Sequence, residues 1–173
     1  MSLNWKEINI ILNELNLSES FIRQIHQPKH DWLVFDIYNK DNSFKLLVSL
    51  SNPDCRIHKL TKKMKNPEKP PRFTSFLRAH IKNSRIKSVQ HINNDRIIKF
   101  IINKNKREIY MWVKLWSGAT NIIITDNNNR ILESFYRRKN KKELKEVLKQ
   151  CARLCIKLKL IAGNTLFIDG SKI

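Results

Sequence analysis

Three glycines in 173 residues are too few for a collagen-like chain, a flexible linker or a glycine-rich phosphate loop. Three cysteines, an odd number, do not suit the paired disulfides of a small secreted domain. No run of 18 apolar residues is present, so no segment has the pattern of a membrane-spanning helix. The N-terminus, MSLNWKEINIILNELN, has neither the basic head nor the apolar stretch and cleavage site of a signal peptide. It reads as a cytoplasmic start, although export by a non-standard route is compatible with it. Gly-x-Ser-x-Gly, Walker and dinucleotide fingerprints are missing. His26, His30, His58, His80 and His91 are scattered, and Cys55 with His58 has no second pair to complete a metal site. Neither catalysis nor a metal or cofactor is expected.

Acidic residues are also scarce, 15 against 34 Lys and Arg, which leaves a net charge of +19 and a pI near 10.1. With 41% hydrophobic and 9% aromatic residues, the chain is not a disordered polycation. The charge is uneven. Residues 1–55 carry 5 basic and 7 acidic side chains, whereas residues 56–87 carry 11 and 1 and residues 137–173 carry 11 and 3. A general lysine bias would colour every segment; two cationic blocks beside an acidic start point to a polyanionic partner.

Trp5, Ile8, Ile11, Leu12 and Leu15 have helical spacing, and predict a helix over about 4–17 with Ser2 or Asn4 as N-cap. Strand-like runs follow: FIRQIHQ, ended by Pro28, then WLVFDIY and FKLLVSL around a turn at Asp41-Asn42. Residues 52–72 read as a proline-rich, lysine-rich loop in which Arg56–Leu60 has the pattern of a short strand. FTSFLRAHI is a second helix, with Arg78 and Lys82 near its C-terminal end. RIKSVQHI and RIIKFIIN join at Asn93-Asn94, and EIYMWVKLW, NIIITD and RILESFY complete the strands. A long amphipathic helix over about 140–160 carries Leu144, Val147, Leu148, Cys151, Leu154, Cys155 and Leu158 on one face. Buried structural thiols are the plain reading of that cysteine pair. No regular alternation of strand and helix occurs. The expected class is α+β, a single domain over 1–173 with an antiparallel β-sandwich and flanking helices.

Arg56, His58, Lys59, Lys62, Lys63, Lys65, Lys69 and Arg72 line the proline-rich loop, and Arg78, His80, Lys82, Arg85 and Lys87 follow it. Lysines meet phosphates as point charges and arginines as forks. A nucleic-acid face and a merely solvated loop both fit this pattern. Asp95-Arg96, read from its residues alone, is a salt bridge in a turn.

Five ordered segments over about residues 5–136 resemble the N-terminal domain of the NFACT family. They are IHQPKHDWLVFDIY, FKLLVSLSNPDCRIHKL, NPEKPPRFTSFLRAHI, RIKSVQHINNDRIIKF and TNIIITDNNNRIL. The PPRF…LRAH and QHINNDR pieces carry most of the likeness. The resemblance implies a fold similar to the N-terminal domain of Fpg/Nei-type DNA glycosylases. It also implies a non-catalytic RNA-binding role in ribosome-associated quality control, with transfer RNA and the large ribosomal subunit as partners. Carried over, Asp95 and Arg96 are the pair needed for RNA contact, and Arg56, Arg78 and His80 match motif positions. Lys62, Lys63 and Arg72 join them as candidates from the basic loop.

Three departures accompany the likeness. Asn4 stands about where the family carries an Asp. Lys114 replaces an acidic residue, and Ser117-Gly118-Ala119-Thr120 replaces a Gly-Arg-His-Ser segment that precedes Asn121. Members continue into further domains beyond the point where this sequence stops, so complete tail synthesis is not expected of this chain alone. Glycosylase chemistry is not expected either, because it needs Pro after the initiator Met and position 2 is Ser. The competing functions are a fibronectin-binding adhesin, after a label some members carry, and DNA binding by analogy of fold.

Overall fold

The first helix, α1 (Trp5–Leu15), begins where Asn4 meets the chemistry of a helix start. The Asn4 side chain accepts the Glu7 N–H at 3.0 Å, and the Glu7 carboxylate accepts the Asn4 N–H at 2.7 Å. This reciprocal box satisfies two of the donors that a helix leaves unpaired. Ile8 is fully buried and Leu12 and Leu15 pack beside it. Asn16 ends the helix in the left-handed conformation, φ 40°, and donates to the Leu12 carbonyl.

The computed structural model describes residues 3–137, except 40, 41, 53, 63 and 66. After α1, the elements among these are β1 (Phe21–Lys29), β2 (Trp32–Asn39), β3 (Asn42–Ser49), β4 (Arg56–Leu60) and α2 (Arg72–Ile81). There follow β5 (Ser84–His91), β6 (Ile97–Lys104), β7 (Arg107–Lys114), β8 (Asn121–Asp126) and β9 (Ile131–Ser134). The chain divides into one compact unit over residues 1–136 and another over 137–173. The helix expected over 140–160, with Cys151 and Cys155, lies outside the described residues.

The class is α+β, as expected, but the strands are not parted into the two sheets of a sandwich. They form one antiparallel sheet in the order β4-β3-β2-β1-β5-β6-β7-β8-β9. The ladder between β1 and β5 holds only Phe21↔Arg85 and Ile22↔Ser84. Backbone bonds just beyond it extend the junction: Glu19 to Ile86, Ile86 to Ser20 and Asn83 to Ile22, at 2.7, 2.7 and 2.8 Å. The physical reason is that pairing β1 with β5 leaves neither strand with an open edge in the middle of the fold. Both halves give side chains to one buried cluster. Phe35, Val48 and Ile57 come from the first half, and Phe100, Met111 and Ile124 from the second. Leu77 and Ile81 of α2 join them. Thr120 Oγ1 donates to Leu50 O at 3.0 Å, a further tie between the halves.

Turns in a chain so poor in glycine need residues that tolerate positive φ, and asparagine fills the need. Asn83, Asn93, Asn94, Asn105 and Asn129 all have φ between 50° and 60°. Two boundaries depart from the sequence pattern. Strand β1 is not ended by Pro28 but runs on to Lys29. A register shift between His26 and Lys29 leaves the proline opposite no ladder partner, one of the strand settings that tolerate it. Asn42 already belongs to β3, paired with Asn39, so it is a strand residue and not part of the expected turn.

Alternation assigns each residue of β6 to one side of the sheet. Phe100 is fully buried in the core and Ile101 is half-buried on the other face. Phe100→Ala should lower the unfolding free energy by about 3–5 kcal/mol in urea denaturation. Ile101→Ala should cost clearly less.

Candidate nucleic-acid interface

Asp95 and Arg96 occupy the connection between β5 and β6, just before the strand that the sequence pattern starts at Arg96. Asn93 and Asn94, both left-handed, reverse the chain, and Asp95 N donates to Ile92 O at 2.9 Å. One carboxylate oxygen, Asp95 Oδ1, then accepts two bonds. They come from the Arg96 N–H at 2.6 Å and the Trp116 indole Nε1 at 2.8 Å. His91 Nε2 donates to Asp95 O at 2.5 Å, and Leu115 N donates to Arg96 O at 2.9 Å. The other ring nitrogen of His91 lies 2.7 Å from the Asn9 side-chain amide, which ties the turn to α1. Asp95 is therefore an orienting group whose carboxylate fixes the backbone from which Arg96 departs.

Arg96 lines an open cleft of about 250 Å³ together with Leu3, Asn4, Trp5, Asn94 and Asp95. Trp5 is 38% exposed there. Asn4 caps α1 as an aspartate does, but without its charge, so it adds no carboxylate to the cleft. Lys114, where an acid was expected, sets its Nζ 3.8 Å from the centre of the Trp116 ring. Asn121 is buried, and its amide holds Tyr136 O, Tyr136 N and Ile122 N. That makes it a clamp on the end of β9. Gly118 has φ 77° in the turn before it.

The remaining candidates divide. Arg56 opens β4 directly after Cys55. Cys55 O accepts from Leu3 N at 3.5 Å, and Cys55 Sγ donates to Leu115 O at 3.0 Å. Arg56 thus follows a residue bonded to Leu3, which lines the cleft, and to Leu115, and its Nε is buried with no partner among the described residues. Arg72 instead pairs with Glu133 and donates to Ser134 O at 3.0 Å, holding α2 to β9. Arg78, expected to project from the helix end, turns back to donate from Nε to Ile25 O at 2.8 Å. His80 is exposed, stacked on Phe76 with ring centres 4.0 Å apart. Lys62 is exposed in the loop, and Lys63 lies outside the described residues. The pattern reading missed Trp5, His91 and Trp116. The alternation in EIYMWVKLW would have placed Trp112, Lys114 and Trp116 on one face.

Among the described residues no group of three or more His, Cys, Asp or Glu is arranged to hold a metal. No helix among them is long and apolar enough to cross a membrane.

The model of the NFACT N-terminal and middle domains matches residues 7–152. The chain belongs to the NFACT family. Its relatives include the Rqc2 homolog RqcH of Bacillus subtilis (strain 168), 35% identical over 118 residues, covering 64% of this chain and 20% of that protein. The Rqc2 homolog RqcH of Streptococcus suis (strain 05ZYH33) is 30% identical over 126 residues, covering 69% and 23%. The chain thus spans about a fifth of the length of these relatives. Among solved structures, the N-terminal part of the fibronectin/fibrinogen-binding protein of Streptococcus suis superposes with a TM-score of 0.77 at 25% identity. It covers 82% of this chain and 56% of that one. The N-terminal domain of the fibronectin-binding protein PavA of Streptococcus pneumoniae gives 0.73 at 26%, covering 81% and 60%. These NFACT relatives place the chain in a family associated with ribosome quality control.

The two bonds on Asp95 Oδ1 make a prediction about this NFACT turn. Asp95→Ala strands the Trp116 indole and the Arg96 N–H, and should cost about 1–3 kcal/mol in urea denaturation followed by tryptophan fluorescence. Asp95→Asn keeps an acceptor oxygen and should cost less.

Proposed function

We propose that this chain is a non-catalytic RNA-binding domain of ribosome-associated quality control that works in the cytoplasm. Its partners in this reading are transfer RNA and the large ribosomal subunit, and Asp95-Arg96 is its specific contact. The observation that carries the proposal is the geometry of that turn: a carboxylate spent on two internal bonds beside an arginine that lines an open cleft. An arginine whose backbone is fixed in this way loses little freedom when its fork closes on phosphate or a base edge. Family membership supplies the ribosomal setting, and the net charge of +19 supplies sequence-independent attraction. Arg56, next in sequence to Cys55, which bonds Leu3 of the cleft, is the second candidate contact. Lys62 and His80, both exposed, and Lys63 are further candidate contacts, while Arg72 and Arg78 serve the fold first. Kinship with the N-terminal domain of Fpg/Nei glycosylases belongs to the same reading, without their chemistry.

A second reading, binding of fibronectin, is favoured by what two structural neighbours are described as binding. Anisotropy titrations of labelled transfer RNA over a salt series separate the two. Affinity should fall steeply with salt. Arg96→Ala should cost about 1–3 kcal/mol of binding, and Arg96→Lys should recover only part of it. Asp95→Asn in the same assay tests whether the carboxylate charge matters beyond holding the turn. Wild-type affinity in Arg96→Ala overturns the assignment of this pair. Saturable fibronectin binding with no RNA binding overturns the RNA reading.

A further inference from the structure

The face of the sheet turned away from the core holds a second feature. Along β7, Tyr110, Trp112 and Lys114 alternate with the buried Met111 and Val113, and Trp116 continues the series past the strand end. Across the ladder from β6, Ile101 pairs with Tyr110, Lys99 with Trp112 and Ile97 with Lys114. Ile123 of β8 pairs with Trp112 and Thr125 with Tyr110 on the other side. None of these residues belongs to the core cluster, into which α1 and α2 sink Ile8, Phe73, Leu77 and Ile81, although Thr125 is itself buried. Tyr110, Trp112 and Trp116 are half-buried.

Lysines lie on these rings. Lys99 Nζ is 3.9 Å from the centre of Tyr110 and 4.8 Å from that of Trp112, and Lys114 Nζ is 3.8 Å from that of Trp116. The indole of Trp112 is held by its bond to Thr125 Oγ1 at 3.2 Å, so the ring cannot collapse on a neighbour. Successive positions on one strand face are about 6.8 Å apart. Two aromatic rings and a lysine therefore span about 14 Å between Tyr110 and Lys114, with Lys99 beside the rings on the neighbouring strand. The strip ends at Trp116, whose indole bonds Asp95, so it runs into the Asp95-Arg96 turn.

We infer that this strip is a stacking track for an unpaired RNA segment that leads to Arg96. The inference rests, for its ligand class, on the RNA reading above. Rings fixed on a rigid sheet stack with bases, and the two lysines beside the three rings, Lys99 and Lys114, add positive charge where the phosphates of the strand would run. A duplex keeps its bases stacked inside and gains nothing from the rings. Charge selects the occupant: a basic strip on a chain of net charge +19 fits a polyanion.

The test uses the full chain and two labelled RNAs of equal length, an unstructured adenylate strand of about ten nucleotides and a perfect duplex. Tyr110→Leu with Trp112→Leu keeps apolar bulk and removes the rings. It should weaken the single strand by about tenfold or more, since base stacking on an aromatic contributes about 1–3 kcal/mol. Duplex binding should be unchanged. Tyr110→Phe, which keeps the ring, should retain the affinity. Should the double variant not fold, Lys99→Glu reverses the charge over both rings and must lower single-strand affinity. Unchanged single-strand binding in these variants overturns the track even if Arg96→Ala abolishes transfer RNA binding. Loss of single-strand binding with an inert Arg96→Ala upholds the track and removes only the Asp95-Arg96 assignment. Concentration-dependent dimerisation that the double variant abolishes assigns the face to a second copy and overturns it.

Discussion

The narrow junction between β1 and β5 is the contact on which the rest of the described fold depends. Two paired positions and three flanking backbone bonds join a four-stranded half to a five-stranded half. A ladder this short lets the two halves bring their apolar faces to one core. Phe35 and Phe100, both almost wholly buried and far apart in sequence, belong to the same cluster for that reason. The ties from Cys55 to Leu115 and from Thr120 to Leu50 complete the closure. They also bring the start of β4, the start of α1 and the turn before β6 toward one end of the unit. The cleft at Arg96 is a product of that closure rather than of any local motif.

The basic side chains then do two different kinds of work. Arg72 and Arg78 are spent inside the protein, on Glu133 and on carbonyls of neighbouring strands. Each satisfies acceptors that partial burial removes from water. Arg96, whose backbone is held by Asp95 and Leu115, lines the cleft. The lysines on β6 and β7 rest on aromatic rings. A charge count treats all of these alike. Position in the fold separates cations tied to carboxylates and carbonyls from cations at the cleft and on aromatic rings.

Much of the fold was legible in the residues. The spacing of Ile8, Ile11, Leu12 and Leu15 and the cap at Asn4 located α1, and alternation located the strands. Asn93-Asn94 marked the turn before β6 because asparagine tolerates a left-handed backbone that few other residues do. Pro28 was misread as a stop because a proline in a strand normally is one, and only the register shift beside it shows why this one is tolerated. The site was partly legible. Asp95-Arg96 stood out through likeness to a family. Trp5 and Trp116 did not, because one is 91 residues and the other 20 residues from Arg96 along the chain, and only folding joins them.

What the chain determines by itself is local: where helices and strands begin, which face of each is apolar, and that the molecule is strongly basic. These follow from periodicity, capping and charge, which act over a few residues. What only the tertiary structure decided is which side chains share a place. The sandwich suggested by the pattern became one continuous sheet because β1 and β5 pair, and pairing partners are chosen by long-range packing. Asp95 became the anchor of a turn because an indole 21 positions away arrives within hydrogen-bonding distance. Hydrogen bonds and burial act across space, and a linear sequence does not record that proximity.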